Sequence, residues 1–225
     1  MKTFPKQERQ LELFKKSLKT RAYVEGDIPI TGRSCENYSI QLFPDIPTNK
    51  LLTYMGTKDY LDVACGVNHL YPKSLLNRIK GTKKKHGLDI HSKSEGNYFK
   101  GTIYKTPFKN NSYDCITINN FLYFWEYKPD NLLKIYKELY RICKKNGEIR
   151  VFPVFFGNYH QDKVELFEYL NNNFRLQLVR SNDYSKESPI YMKGDEILET
   201  DKRNGLGENK LNHQLFAYAL VLHKK

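Results

Sequence analysis

The sequence predicts an α/β protein: a doubly wound, mostly parallel sheet with helices on both faces, ending in an antiparallel hairpin. Three observations predict it. From residue 59 onward, short apolar runs alternate with amphipathic helical stretches. Each run is bounded by Gly, Asn or Pro, the residues that punctuate elements. After residue 181 the alternation stops, and the last two apolar runs are separated by a polar stretch, residues 182–213, without the periodicity of a crossover helix. Two strands joined that way form a hairpin around a long loop.

The elements follow in order. Residues 5–21 place Leu11, Phe14 and Leu18 three and four apart, the stripe of an amphipathic helix. Residues 21–49 are interrupted by Gly26, Pro29, Gly32, Pro44 and Pro47, yet Tyr23, Ile28, Tyr38 and Phe43 supply surface to bury. They read as a structured arm, so that residues 1–57 form an N-terminal helix and lid over a domain spanning 58–225. Residues 59–64 are a strand, 72–80 a helix with Pro72 at its first position, 86–90 a strand and 113–119 a strand. Residues 130–145 form the most regular helix, with Leu132, Leu133, Tyr136, Leu139, Tyr140 and Cys143 on one stripe, Asp130 as N-cap and Asn146-Gly147 as a left-handed stop. A strand at 148–154, a helix at 162–170 ended by residues 171–173, and strands at 174–181 and 214–223 complete the chain.

Composition narrows the function classes. The chain has 225 residues, 40% hydrophobic and 14% aromatic, with a mean hydropathy of −0.67. That is too aromatic for a disordered chain and too polar for a membrane protein. Its longest apolar runs, residues 121–125 and 216–222, fall far short of the roughly 20 residues that cross a bilayer. The basic N-terminus never reaches the apolar core of a secretory signal, and a cytoplasmic protein is expected. Cys35, Cys65, Cys115 and Cys143 contain no CxxC pair, so reduced thiols are expected and no metal site is. The formal net charge is +12. Lysine carries most of it, whereas Arg is the usual fork for phosphates and base edges. The residues from 73 to 109, which include Lys83, Lys84 and Lys85, are the most basic stretch and read first as a solvated face.

Two strand ends carry chemistry. The strand at 59–64 ends in YLDVACGVNH, which sets the carboxylate of Asp62 beside a turn of small residues, Ala64 and Gly66. Open α/β sheets bind ligands at this edge, where small residues let a ligand approach the backbone. In the dinucleotide frame G-x-G-x-x-G the three positions are Ala64, Gly66 and His69, which fits that fingerprint poorly. Asp89 ends the next strand in GLDIHSKS, where a carboxylate can accept both hydroxyls of a ribose.

The segments LDVACG, GLDI, TPFKNNSYDCITINNFLYF and ELYRICKKNGEIRVF, in this order and spacing over residues 58–156, resemble the class I S-adenosylmethionine-dependent methyltransferases. The terminal hairpin fits residues 174–224. The resemblance implies a seven-stranded sheet with six parallel strands and one antiparallel, and S-adenosylmethionine as cofactor. It implies that Asp62 and the backbone of Ala64, Cys65 and Gly66 hold the methionine end. Asp89 would bind the ribose diol, Ile90 would pack on the adenine, and Asn119 would lie beside the methionine carboxylate or sulfonium. Two positions depart from the family pattern. Asn68 stands at its last glycine, where Asn tolerates left-handed backbone. Thr102 stands where an acidic side chain usually meets the adenine amino group, which leaves the backbone at Ile103 for that contact.

Methyl transfer from a sulfonium is an in-line displacement whose leaving group needs no proton, so alignment and desolvation carry much of the rate. A hydroxyl or ammonium acceptor needs a base near the strand tips, and Tyr123, Tyr159 and His160 are the candidates. The Asn/Asp-Pro-Pro-aromatic signature of base-amine methylation is replaced by Asn119-Asn120-Phe121-Leu122. A small-molecule acceptor is therefore expected. The rival readings are an RNA or protein methyltransferase docking through the basic N-terminal half, and a non-catalytic relative that binds without turnover.

Overall fold

A computed structural model describes residues 22–25, 28–31, 33–66, 72–81, 83–90, 94–119, 129–152, 163–180 and 218–225. The strands are β1 (Ala22–Glu25), β2 (Ile28–Thr31), β3 (Tyr60–Val63), β4 (Lys85–Asp89), β5 (Tyr98–Lys100), β6 (Tyr113–Asn119), β7 (Cys143–Phe152), β8 (Phe174–Arg180) and β9 (Tyr218–Lys224). The helices are α1 (Cys35–Gln41), α2 (Thr48–Gly56), α3 (Leu75–Arg78), α4 (Pro129–Ile142) and α5 (Lys163–Asn173). β1 and β2 form a separate antiparallel pair.

The other seven strands make one sheet in the order β5-β4-β3-β6-β7-β9-β8. β3 lies at its centre, paired in parallel with β4 and β6. β9 runs antiparallel between β7 and β8. Six strands thus point one way and one the other, as expected. The reversal of strand order beside β3 makes a crevice at the carboxyl ends of β3 and β6, the switch point of an open sheet.

Side-chain alternation divides the core into two unlike layers. Leu61, Val63, Ile116, Ile118, Ile149 and Val151 are buried on one face, in one cluster with Leu132, Ile135, Tyr136 and Leu139 of α4 and Leu166 and Leu170 of α5. Each such side chain contributes roughly 1.5–3 kcal/mol by leaving water. The alternate residues, Tyr60, Asp62, Cys115, Thr117, Asn119, Glu148 and Arg150, are equally buried but mostly polar. Over that face pack Tyr38, Leu42, Phe43, Leu51 and Met55 of the α1–α2 segment.

Several boundaries differ from the sequence reading. The helix expected at 72–80 is the single turn α3, capped by Ser74, whose hydroxyl accepts the Asn77 N–H at 3.3 Å. Pro72 precedes it as part of a turn. α4 begins at Pro129, so Asp130 lies inside the helix and is not its N-cap. The helix ends at Ile142, earlier than the Asn-Gly pair implied. Asn146 is left-handed, with φ 62°, but it serves the turn at the start of β7, where the register to β6 shifts. Gly147 is required there because a Cβ would lie 2.8 Å from Cys143 Sγ and 2.9 Å from the Lys144 carbonyl oxygen. α5 runs through residues 171–173 to Asn173, whose amide donates to the Tyr169 carbonyl at 2.8 Å. The arm, expected to be structured but with no elements assigned to it, holds β1, β2, α1 and α2, and β5 had no signal of its own. The helix expected at 5–21 and the loop at 182–213 lie outside the described residues.

Candidate cofactor and methyl-transfer site

β3 ends in a backbone that only small residues suit. Ala64 and Gly66 both have left-handed conformations, φ 55° and 58°, on either side of Cys65. The turn is fastened to the neighbouring strand: the Cys65 N–H donates to the Leu88 carbonyl at 3.3 Å. The Gly66 N–H donates to Asp89 Oδ2 at 2.9 Å. Beneath it, Gly87 leaves room that a Cβ would fill, since one built there would lie 2.6 Å from the Tyr98 ring and 2.9 Å from Cys65 Sγ. Tyr98 is held in place by its hydroxyl, which donates to Asn77 at 2.8 Å. Burial pushes its phenol well above the ordinary value.

The two predicted carboxylates crown adjacent strands. Asp62 pairs in register with Gly87, and Asp89 follows two residues later on β4. Their environments are opposite. Asp62 is 1% exposed; its Oδ2 accepts the Tyr38 hydroxyl at 2.6 Å and its Oδ1 accepts the Thr117 hydroxyl at 2.9 Å. Burial first, and then the Asp62 charge, hold the Tyr38 phenol protonated far above its usual range. Asp89 is partly exposed. Beside it Ile90 is 54% exposed, an apolar side chain left open at a strand tip.

Asn119 ends β6 and is buried; its amide donates to Gln41 Oε1 at 3.0 Å. α1 therefore reaches the tips of β3 and β6 through Tyr38 and Gln41, one turn apart. Its local sequence explains the helix: Ser34 and Asn37 form a reciprocal capping box, and Tyr38 and Leu42 face the sheet. Sequence reasoning missed this pair. The available signal was Cys35, Tyr38 and Leu42 at helical spacing after a Ser-x-x-Asn start.

Ile103 is buried against Leu88 and the apolar core. Thr102 is exposed, and its hydroxyl accepts the Tyr104 N–H at 3.3 Å. Asn68, Tyr123, Tyr159 and His160 lie outside the described residues. The four cysteines are buried and form no disulfide with one another; burial pushes the Cys143 thiol up to about 12, so it carries no thiolate at neutral pH. Among the described residues no group of three His, Cys, Asp or Glu side chains could hold a metal ion, and no helix is long and apolar enough to cross a membrane.

Comparison with known proteins bears on this geometry. Residues 61–151 match the family model described as a methyltransferase domain. No curated protein matches the chain. The solved structures similar to it include a SAM-dependent methyltransferase from Archaeoglobus fulgidus, with 19% identity, TM-score 0.44, and coverage of 79% of this chain and 90% of that one. Another is a SAM-dependent methyltransferase from Aquifex aeolicus, with 16% identity, TM-score 0.43, and coverage of 84% and 92%. A third is the PH0226 protein of Pyrococcus horikoshii OT3, with 15% identity, TM-score 0.46, and coverage of 84% and 99%.

The matched segment contains β4, β5, β6 and most of β3 and β7 together with the turn at Ala64–Gly66, so this part of the sheet is similar to a methyltransferase domain. The cofactor that this similarity implies is S-adenosylmethionine. The residues present suit it. A left-handed turn offers close backbone approach, a partly exposed carboxylate offers acceptors to a diol, and an exposed isoleucine offers an apolar platform.

Proposed function

We propose that this chain transfers a methyl group to a small-molecule acceptor, with the cofactor lying across the tips of β4, β3 and β6. The observation that carries the reading is the α1 roof. Tyr38 and Gln41 meet Asp62 and Asn119 in buried contacts, so the methionine end is enclosed by this chain's own arm.

In this reading Asp89 accepts the ribose hydroxyls and keeps the Ala64–Gly66 turn closed through the Gly66 N–H. Ile90 packs on the adenine, with the backbone at Ile103 near its edge, while Thr102 supplies no carboxylate. Asp62 is a positioning residue that acts through Tyr38, and Asn119 with Gln41 shapes the space beside the methionine end. Residues 33–57 serve as the lid. When bound, the cofactor supplies a sulfonium methyl, and the protein's task is to align the acceptor in line and exclude water. The base that an oxygen or ammonium acceptor needs is assigned to Tyr123, Tyr159 or His160. A cytoplasmic location and reduced thiols belong to the same reading.

Calorimetric titration with S-adenosylhomocysteine tests the site. Asp89→Ala is expected to weaken binding by at least about 1.5 kcal/mol, the low end for a hydrogen bond to a charged group. Unchanged affinity rejects the ribose role. Incubating the protein and methyl-labelled cofactor with a cell extract tests the acceptor: label is expected in the small-molecule filtrate, and label confined to retained macromolecules rejects it.

A further inference from the structure

Every helix-to-strand connection of a parallel sheet falls at the amino ends of the strands, on the side away from the ligand-binding tips. Here those connections are rich in cations. Lys58 precedes β3, Lys83 and Lys84 precede β4, Lys109 precedes β6, and Lys144 and Lys145 lie in the turn that starts β7. Arg175 opens β8, and the antiparallel β9 brings Lys224 and Lys225 to the same edge. The basic stretch at 73–109 is thus split. Its lysines at 83–85 join this edge, whereas Lys100 ends β5 on the opposite one.

Part of this charge serves the fold. Lys224 caps α4 by donating to the Tyr140 and Cys143 carbonyls, both at 2.7 Å, and Lys85 donates to those of Ile79 and Gly81. Cations at helix carboxyl ends complement the macrodipole. Lys144 is neutralised between Asp59 and Asp114. Lys225 likewise donates to the Asn171 carbonyl of α5, and Lys58 and Lys84 lie over the Tyr54 and Tyr113 rings. Four cations are left over: among the described residues Lys83, Lys109, Lys145 and Arg175 are exposed and form no ion pair. The edge also contains a cleft of about 590 Å³, lined by Asn146, Asn171, Arg175, His223 and Lys225 among others.

We infer that this amino edge binds the phosphodiester backbone of a nucleic acid, with the cleft between β8, β9 and the β7 turn as its anchoring pocket. The strands from β4 to β8 span about 24 Å at the usual inter-strand spacing, which matches roughly seven phosphates along one strand of a duplex. The exposed large apolar residues among those described are Ile90, Tyr104 and Leu178, and none lies on this edge. A lipid interface or a protein partner would need such anchors, whereas phosphate contacts need only fixed positive charge. The binding is a tether distinct from methyl transfer, because it occupies the side opposite the cofactor tips.

Fluorescence anisotropy with a labelled RNA hairpin and the DNA hairpin of equal length, over a salt series, tests the inference. Affinity is expected to fall steeply with salt, by about 0.7–0.9 in log–log slope for each phosphate neutralised. The combined variant Lys83→Gln, Lys109→Gln, Lys145→Gln and Arg175→Gln should weaken binding at least tenfold at 50 mM salt and flatten that slope by about 3. A control variant with Lys73, Lys100, Lys105 and Lys134 replaced by Gln removes the same charge elsewhere and should keep the slope. Binding of RNA alone, or of both hairpins, supports the inference and identifies the source. Equal losses in the two variants, no binding of either hairpin at 50 mM salt, or binding only to vesicles of anionic phospholipid would overturn it.

Discussion

The Tyr38 hydroxyl donates to Asp62 Oδ2 at 2.6 Å in a fully buried contact. It joins a helix of the N-terminal arm to the carboxyl end of the central strand, and it makes the predicted cofactor carboxylate a fixed part of the protein interior. Thr117 occupies the other oxygen and shares its hydroxyl with Tyr60 at 2.7 Å. Asp62 therefore organises three elements, α1, β3 and β6, before any ligand arrives.

Removing that hydroxyl leaves a buried carboxylate short of one donor. Tyr38→Phe is expected to cost about 1–3 kcal/mol, which lowers the melting temperature by about 2–4 °C per kcal/mol in a chain of this size. Saturating S-adenosylhomocysteine should restore part of the loss, because a ligand of the folded state stabilises it by mass action. Thermal melts with and without the ligand measure both effects. A variant that melts like the parent would show that the bond contributes nothing.

Arg150 holds the other end of the arm. Its side chain is 4% exposed and reaches Asp45 at 2.6 Å and Glu148 at 3.1 Å. It also donates to the Leu42 carbonyl at 2.9 Å and lies over the Phe43 ring at 4.6 Å. Arg150→Met strands Glu148 in the interior, and breaking a buried pair of this kind costs about 3–5 kcal/mol. Arg150→Met combined with Glu148→Gln should recover a large part of it, because the unpaired charge is gone. Urea unfolding of the single and double variants provides the comparison, and equal losses would mean that packing of the guanidinium decides.

Acid should loosen the amino edge. Burial alone would raise the Asp59 carboxyl, but the bonds from Lys144 and the Lys84 N–H bring it below the ordinary value. A carboxyl depressed in the folded state stabilises at pH values above its unfolded range, and that contribution disappears as pH falls through the depressed value. Asp59→Asn is therefore expected to lower the urea midpoint at pH 7 and to match the parent much more closely near pH 3. A gap of the same size at both pH values would assign the effect to something other than the charge.

Much of the fold was legible because its cues are local. LDVACG and GLDI are short apolar strands that end in a carboxylate, and the Leu132–Leu139 stripe is a helix whatever surrounds it. Asp62 and Asp89 were recognised from strand ends alone. Other features carried no local mark. β5 is three residues long and exists because Gly87, Leu88 and Asp89 pair with Tyr98, Phe99 and Lys100. α1 is a seven-residue helix between breakers, too short to be stable alone, and it forms because Tyr38 and Leu42 bury against the sheet.

By itself, then, the chain's order of apolar runs and turns determined the class of fold, six of the seven strands of the main sheet with the closing hairpin, and which strand ends carry carboxylates. Side-chain period and turn chemistry operate within a few residues, so these are properties of the sequence alone. Only the tertiary structure decided that Asp62 is buried while Asp89 is open, that Tyr38 and Gln41 roof the site, and that scattered lysines share one edge. Each depends on residues tens of positions apart meeting in space, and the free energy of such contacts exists only once the sheet is formed.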